Sequence, residues 1–154
     1  MYIRNSARAI FINDDKLLVM KVKLPYGESY FLPGGGQDFG ESLHETVIRE
    51  CMEELGVKVD VKRLLFVREY IGKNHPFVEH DQNIHQVDFM FECHIKENEH
   101  LVQMGTNPDE GQLALEWVPI QELSQLNFYP NEMLGHLLNV LKGAPVPMYI
   151  GDVI

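Results

Sequence analysis

The chain has 154 residues, 45% of them hydrophobic and 23% charged, and its formal net charge is −10. This size and composition predict one globular domain, residues 1–154, with a core of its own. The acidic balance argues against a long nucleic-acid partner, and the sequence has neither an apolar run of about 20 residues nor a basic leader, so we expect no membrane association and no secretory signal.

Before residue 37 the chain alternates strand-like runs with turn residues. We expect strands at 3–13 and 16–24, joined by an Asn-Asp-Asp turn at 13–15, and a short strand at 30–33. Three consecutive glycines follow at 34–36. Because glycine permits positive φ and close backbone approach, this segment is predicted to be a loop beside a ligand or a metal ion.

A helix is predicted directly after the glycines, within the segment GGQDFGESLHETVIRECMEELGV at 35–57. Ser42 and Glu45 have the spacing of a capping box, so the helix should begin near Leu43. Gly56 is suited to a left-handed C-cap, which would end the helix at that point.

The predicted helix is amphipathic and carries three glutamates beside its apolar face. At about 100° per residue, one apolar stripe is formed by Leu43, Val47, Cys51 and Leu55, widened by Ile48 and Met52. Glu50, Glu53 and Glu54 share an arc of roughly 100° next to this stripe. Arg49 precedes Glu53 by four residues, and we expect the two to pair.

Three carboxylates this close on one helix repel one another, and a bound divalent cation would remove the conflict. Clusters of oxygen ligands suit Mg²⁺ or Mn²⁺, which keep several waters and bind substrate phosphates. The alternative is an acidic helix face that is simply solvated. A metal site is compatible with the net charge of −10, because bound cations invert the local charge of an acidic site.

The rest of the chain contains further strands and a late helix. The patterns predict strand-like runs at 57–70, an irregular polar stretch at 72–83, a strand at 84–95, a loop at 105–111, a strand at 113–119 leading into a short helix at 120–123, and a helix at 131–141. Periodicity alone therefore gives an α/β or α+β class. Cys51 and Cys93 lie in apolar segments and are expected to be buried free thiols, which fits a reducing, cytoplasmic location.

Seven positions of the helical segment match a known signature. They are Gly35, Glu41, Arg49, Glu50, Glu53, Glu54 and Gly56. Their spacing is G, five residues, E, seven residues, then R-E-apolar-x-E-E-x-G-apolar, which resembles the box of the Nudix hydrolases at every fixed position. The box covers only 23 of the 154 residues. The resemblance implies an α/β/α sandwich with a mixed central β-sheet.

The resemblance also implies an activity and a cofactor. Nudix enzymes hydrolyse a nucleoside diphosphate linked to another moiety, such as a nucleotide sugar, a dinucleotide or a nucleoside triphosphate, by attack of water on phosphorus with Mg²⁺ or Mn²⁺. Carried onto this chain, the metal ligands are Glu50, Glu53 and Glu54 together with a backbone carbonyl at Gly35. Arg49 would orient the carboxylates, chiefly through Glu53.

The general base is open at this stage, because family members differ. Some use a glutamate of the box, here Glu53, and others use an acidic residue from a later loop. Glu110 is the expected loop residue, both as base and as a further metal ligand, with Asp109 as the fallback. Glu41 is expected to support the site rather than to act as the base.

Residues outside the box admit two interpretations each. Arg4, Arg8 and Arg68 are possible contacts to substrate phosphates, and the sequence does not choose among them. Three aromatic residues would either stack on a base or fill the core, with the core favoured: Phe66, Tyr70 and Phe89. The apolar, proline-containing segment 143–154 would pack on its own domain or on a partner in a possible homodimer.

Two alternatives to a small-nucleotide hydrolase are disfavoured. A catalytically silent binding module of the same fold would be expected to lack box carboxylates, and this chain keeps all of them. RNA decapping would need a basic surface for a long RNA, which a net charge of −10 does not suggest. The expected partner is therefore a small, phosphorylated, nucleotide-derived substrate.

Overall fold

The computed structural model describes residues 2–96 and 103–154. Its strands are β1 (Arg4–Ile10), β2 (Ile12–Asn13), β3 (Lys16–Leu24), β4 (Gly27–Phe31), β5 (Gly34–Gly36), β6 (Val59–Ile71), β7 (His85–Ile95), β8 (Gln112–Pro119), β9 (Phe128–Tyr129) and β10 (Tyr149–Asp152). Its helices are α1 (Leu43–Leu55), α2 (Val78–Asp81) and α3 (Met133–Leu141), with 3-10 turns at Gly72–Asn74 and Ile120–Gln125.

The strands form two sheets. The first has the order β10-β6-β7-β1-β5, in which β1 runs parallel to β7 and antiparallel to β5, while β6 runs parallel to β10 and antiparallel to β7. The second has the order β2-β3-β4-β9, and β8 pairs with β3. The first sheet is therefore mixed, as the sequence predicts.

Hydrophobic residues fill both faces of the mixed sheet, because neighbouring strand residues point to opposite sides. On one side Val47, Cys51 and Leu55 of α1 pack with Ala7 and Phe91 of the sheet. On the other side the core cluster joins sheet residues to α3; it includes Ile10, Phe66, Met90, Met133 and Leu137. A sheet covered by a helix on each face is the predicted α/β/α sandwich.

Two predicted irregular segments are ordered differently from expectation. The glycines are not a loop but strand β5, which pairs with Ser6–Arg8 of β1. The close approach requires glycine: Gly34 has φ of 124°, and a Cβ there would overlap the carbonyl oxygen of Ala7. The predicted irregular stretch 72–83 contains a 3-10 turn and α2.

The end of the chain packs on its own domain. Strand β10 extends the mixed sheet beside β6, and Val146 and Ile150 contact the core cluster that includes α3. Cys51 and Cys93 are free and buried, as predicted. Among the helices within 2–96 and 103–154, none has the length and apolar character needed to cross a bilayer.

Helix α1 has the predicted ends. The Ser42 hydroxyl accepts a hydrogen bond from the Glu45 N–H at 3.3 Å, and the Glu45 carboxylate accepts one from the Ser42 N–H at 2.7 Å. Gly56 caps the other end with φ of 65°, and its N–H donates to Met52 O at 3.1 Å. Both caps satisfy backbone groups that the helix itself leaves free.

The width of the apolar stripe on α1 was predicted wrongly. Val47, Cys51 and Leu55 are buried, but Ile48 and Met52 are 44% and 39% exposed. The buried arc extends around the helix in the opposite direction, so that Glu50 and Glu54 are buried in their place. Carboxylates are rarely buried unless they are paired or bind a cation.

Two glycine-to-alanine changes test the helix ends against the helix interior. Gly56→Ala is expected to lower the free energy of unfolding by about 1 kcal/mol, because alanine is strained at positive φ. Gly135→Ala is expected to raise it by about 0.5–1 kcal/mol, because Gly135 lies within α3 with open space where a Cβ would be. Urea unfolding of both variants measures the two changes in the free energy of unfolding. Changes of the same sign would contradict the placement of Gly56 at the end of a helix and Gly135 inside one.

Candidate active site

Glu54 is the most deeply buried carboxylate of α1, with no exposed surface. Its Oε2 accepts a hydrogen bond from the Gly34 N–H at 2.8 Å. Its Oε1 has no hydrogen-bond partner among the described residues. Burial raises the pKa of Glu54 to about 8 and outweighs the Gly34 hydrogen bond and the charge of Arg8, which lower it. Among the described residues, Arg8 does not offset the burial of this side chain, so a bound cation would stabilise its charged form.

Glu50 is also buried and faces the glycine strand. Burial raises its pKa, while Arg49 Nη1, 2.8 Å from Glu50 Oε1, opposes the shift and the charge of Glu53 adds to it. A Cβ on Gly35 would lie 2.6 Å from the carboxyl carbon of Glu50. The missing side chain at Gly35 thus leaves the space that the Glu50 carboxylate occupies.

Arg49 holds the site together through partners that its helical spacing does not indicate. Its Nε and Nη2 donate to the two carboxylate oxygens of Glu41 at 2.7 and 3.0 Å, and Nη2 also donates to Gly36 O at 3.0 Å. The pair with Glu53 is longer, at 3.7 Å. The predicted pair with Glu53 is present, but Arg49 contacts Glu41 and Glu50 more closely because the fork of its guanidinium matches Glu41 and reaches Glu50. That Arg49 orients the metal ligands through Glu53 stays a prediction.

Glu41 lies behind Arg49. It accepts further hydrogen bonds from the Thr46 hydroxyl at 3.0 Å and the Asp38 N–H at 3.2 Å. The hydrogen bond from Arg49 is the main reason that its pKa is lowered to about 2. An ionised carboxylate with this set of donors is well suited to support Arg49.

Glu53 is the most open of the three helix glutamates, with a side chain that is 34% exposed. The segment from Gly105 onward covers the end of α1 behind it. Gly105 N–H donates to Glu54 O at 3.0 Å, Asn107 N–H donates to Glu53 O at 3.3 Å, and Gln112 Nε2 donates to Glu54 O at 3.2 Å. This segment brings the acidic residues that precede β8 to the same end of the helix.

Asp109 and Glu110 are both exposed in this segment. The negative charge of Asp109 contributes to the raised pKa values of Glu50 and Glu54. Asp109, the second choice of the sequence analysis, is thus close enough for its charge to raise the pKa values of two helix carboxylates. The role of Glu110 as base and metal ligand stays a prediction.

The donor set at this end of α1 fits a hard divalent cation. It offers carboxylate oxygens from Glu50, Glu53 and Glu54, including the buried Glu54 Oε1, which has no hydrogen-bond partner among the described residues. Within residues 2–96 and 103–154, no three acidic, histidine or cysteine side chains form a preassembled metal cluster. Mg²⁺ and Mn²⁺ retain several waters and take ligands from substrate phosphates, so they do not need a complete set of protein ligands.

Two arginines flank a buried aspartate next to this site. Asp88, 1% exposed, lies 3.5 Å from Arg8 Nε and 2.7 Å from Arg68 Nε. Arg8 also donates to the carbonyl oxygen of Gly34, whose N–H binds Glu54. A continuous set of hydrogen bonds therefore runs from the helix carboxylates to both arginines.

The arginines face a cavity of about 270 Å³ with aromatic walls. Its lining comprises Arg8, Leu24, Tyr26, Phe31, Arg68, Tyr70, Phe77, Asp81, Ile84, Gln86, Tyr129 and Ile154. Of the three arginines that the sequence analysis considered, Arg8 and Arg68 line this cavity. Arg4 instead donates to Gln86 Oε1 at 3.4 Å. Tyr70 lines the cavity, whereas Phe66 is a core residue and Phe89 packs against the core.

The sequence analysis missed several residues of this region. Asp88 interrupts the apolar sequence of strand β7 at a buried position. This interruption could have indicated that Asp88 is a buried polar residue. Tyr26, Phe77 and Tyr129 come from three separate segments, and their contact depends on the tertiary fold. Tyr26 and Phe77 stack with ring centroids 5.0 Å apart, and Phe77 meets Tyr129 edge-on at 5.8 Å.

The chain is similar to known proteins over most of its length. The NUDIX domain profile matches residues 3–136. YvcI, an uncharacterized Nudix hydrolase of Bacillus subtilis, is 25% identical over 143 residues, which are 92% of this chain and 82% of that protein. Nucleoside diphosphate-linked moiety X motif 6 of Xenopus laevis is 28% identical over 119 residues, 77% of this chain; the match spans only about half of the relative, 50% of its length.

Among solved structures, the solution structure of the E. coli ORF135 protein has the same fold. Its TM-score is 0.70 at 17% identity, with 96% of each chain covered. At that identity the likeness concerns the fold alone. Because the NUDIX domain profile covers most of the chain, the chain belongs to the Nudix family.

Proposed function

We propose that this protein is a Mg²⁺- or Mn²⁺-dependent hydrolase that cleaves the pyrophosphate bond of a nucleoside diphosphate linked to another moiety. The observation that carries the proposal is the Glu54 carboxylate, which is buried and lies on the same helix face as Glu50 and Glu53; its Oε1 has no hydrogen-bond partner in the part of the chain that the structure describes. Such a group is costly to keep unless a cation binds it. In this chain the costly buried carboxylate lies on the helix face where the hydrolysis would need a metal ligand.

Glu50, Glu53 and Glu54 would hold the cation, with the backbone at Gly35 close to Glu50. When bound, the ion supplies positive charge to phosphate oxygens and increases the acidity of water. Arg49 fixes the Glu50 carboxylate through a 2.8 Å hydrogen bond and is itself fixed by Glu41. These residues thus keep the ligand oxygens in place before substrate arrives.

Arg8 and Arg68 would bind the phosphates that lie beyond the helix carboxylates. The two guanidinium groups share one buried aspartate, Asp88, so these three side chains together carry one positive charge in a chain of net charge −10. Arginine is well suited to phosphate because its fork donates two parallel hydrogen bonds. The aromatic cavity would then take the nucleoside, since bases stack on aromatic rings.

Glu53 is the proposed proton acceptor for the attacking water, because it is the least buried of the three helix glutamates. Glu110 is the alternative base, and Asp109 is a second alternative from the same segment. A base supplied by this segment would approach the end of α1 that the Gly105 and Asn107 N–H groups already contact. Replacing each of these residues in turn would assign the role.

The test is hydrolysis of a panel of nucleoside triphosphates, dinucleotides, nucleotide sugars and ADP-ribose, with Mg²⁺, with Mn²⁺ and with a chelator. We expect turnover of one substrate class that requires the ion. Glu53→Gln is expected to lower kcat by at least about 100-fold. Glu122→Gln, an exposed glutamate on the 3-10 turn Ile120–Gln125, is the matched control and should keep full activity. Metal-independent turnover, or an unaffected Glu53→Gln, would contradict the proposal.

A further inference from the structure

Asp81 places a carboxylate in the wall of the aromatic cavity, and the hydrolysis itself does not use it. Asp81 ends the short helix α2. The Tyr70 hydroxyl donates to Asp81 Oδ2 at 2.6 Å. Burial raises the pKa of Tyr70, and the hydrogen bond to Asp81 adds to the shift, so the phenol remains a donor. Each carboxylate oxygen has two acceptor sites, so Oδ1 and the remaining site of Oδ2 can both accept hydrogen bonds from a ligand.

The position of Asp81 is fixed by its backbone. Its N–H donates to Phe77 O at 3.0 Å, and its carbonyl accepts from the Ile84 N–H at 2.8 Å. Gly72 lies against it so closely that a Cβ there would overlap the Asp81 carbonyl oxygen. The carboxylate is therefore held at a defined place on the cavity wall, as recognition of one edge of a ligand requires.

The rest of the wall suits a flat ring. The stacked pair Tyr26 and Phe77 has an interplanar angle of 13°, and Phe31 and Tyr129 stack at 5.8 Å. Arg68 lies 5.7 Å from the centre of the Tyr70 ring. At about 270 Å³ the cavity is at the small end for ligand pockets, which fits a single base better than a dinucleotide.

A carboxylate distinguishes bases by the donors and acceptors on their edges, because an ionised carboxylate only accepts hydrogen bonds. Guanine presents two adjacent N–H donors on its Watson–Crick edge, the ring N1–H and the exocyclic amino group. Adenine and cytosine place a ring-nitrogen acceptor beside their amino group, and uracil flanks its single N–H with two carbonyl oxygens. Only guanine among these four matches both oxygens of one carboxylate.

We propose that Asp81 makes this cavity selective for guanine, so that the preferred substrate is a guanine nucleotide derivative. The proposal rests on the proposed function for the assignment of the cavity to a nucleoside. In it, the aromatic wall holds the plane of the base, Arg8 and Arg68 bind the phosphate, and Asp81 reads the edge. Loss of one of two hydrogen bonds, as in hypoxanthine, should cost part of the affinity.

The test is equilibrium binding of nucleoside monophosphates to the metal-free protein, measured by isothermal titration calorimetry. This measurement does not depend on turnover. We expect GMP to bind at least about 10-fold more tightly than AMP or UMP, with IMP between them. Because IMP differs from GMP only by the amino group, the comparison on the parent protein stands even if a variant fails to fold.

Asp81→Asn is expected to reduce the GMP preference to less than about 3-fold, because an amide turns one acceptor into a donor. Asp60→Asn, an exposed aspartate on β6, is the matched control and should keep the preference. Equal binding of all four monophosphates, unchanged selectivity in Asp81→Asn, binding of ribose 5-phosphate as tight as that of GMP, or no binding to folded protein would overturn the inference.

The two proposals fail separately. Selective GMP binding without hydrolysis of any substrate in the panel would remove the proposed function and leave the cavity assignment intact. Metal-dependent hydrolysis of substrates whatever their base would retain the proposed function and remove the role of Asp81.

Discussion

Replacing Glu54 with glutamine is expected to stabilise the metal-free protein at neutral and alkaline pH. The pKa of Glu54 is raised from 4.5 to about 8 by burial. The folded state therefore keeps the proton where the unfolded chain has released it, so this group destabilises the fold progressively as pH rises from 4.5 towards 8. At pH 7 this cost is about 3 kcal/mol, and it reaches its full value only above the folded pKa. Glutamine avoids this cost of protonation but buries an amide, so the free energy of unfolding is expected to rise by roughly 1–3 kcal/mol.

Urea unfolding in the presence of a chelator, between about pH 5 and pH 9, measures this effect. The difference between Glu54→Gln and the parent should be small at the acid end and grow with pH. Glu122→Gln, which is exposed, should follow the parent at every pH. A Glu54→Gln variant that is less stable than the parent at the alkaline end would contradict the account of a carboxylate kept at a cost.

The second large effect is expected at Asp88, where loss of the charge leaves two arginines without their shared partner. Asp88→Asn is expected to lower the free energy of unfolding by about 3–5 kcal/mol at neutral pH, as for other buried pairs that lose one member. Burial by itself would raise the pKa of Asp88, but the charges of Arg8 and Arg68 outweigh it and hold that pKa below its usual value.

The pH dependence at Asp88 has the opposite sign to that at Glu54. A lowered pKa contributes stability above the unfolded value, which is lost as pH falls through the folded value. The parent should therefore lose more stability than Asp88→Asn on acidification below about pH 4. Thermal unfolding across this pH range measures the loss of stability in the parent and in Asp88→Asn. Asp60→Asn, an exposed aspartate 3.7 Å from Lys96, is the control and should change stability by less than about 0.5 kcal/mol; an equally small effect at Asp88 would contradict the assignment.

The parts of the structure that follow from local spacing were predictable. The capping box of Ser42 and Glu45, the end at Gly56 and the clustering of three glutamates depend on residues within a few positions of one another. They need only the geometry of a helix. The box then identified the family, and with it the sandwich.

The partners of Arg49 show where local spacing stops being sufficient. Helical periodicity places Glu53 within reach, but Glu41 lies outside the helix, where the turn before α1 brings it to the guanidinium. The same limit explains why Ile48 and Met52 were wrongly predicted to be buried. Which flank of an apolar stripe is buried depends on what the helix packs against, and here the glycine strand makes room for carboxylates instead.

The cavity was less accessible still to sequence analysis. The pair of Arg8 and Asp88 joins positions 80 residues apart, and the pair of Arg68 and Asp88 joins positions 20 apart. Tyr26, just before β4, and Phe77, just before α2, likewise meet Tyr129 of β9 only because these segments converge in the fold. The three arginines were recognised as possible phosphate contacts, but the choice of Arg8 and Arg68 required knowing which side chains share a cavity.

The central claim is that the carboxylates of α1 hold a divalent cation, and direct measurement of Mn²⁺ binding by electron paramagnetic resonance tests it most plainly. The metal-free protein is titrated with Mn²⁺ at neutral pH without substrate, alongside Glu54→Gln and Glu122→Gln. We expect the parent and Glu122→Gln to bind Mn²⁺ with the same affinity and Glu54→Gln to bind at least about 10-fold more weakly. Equal affinity in all three proteins, or no binding to the folded parent, would contradict the claim.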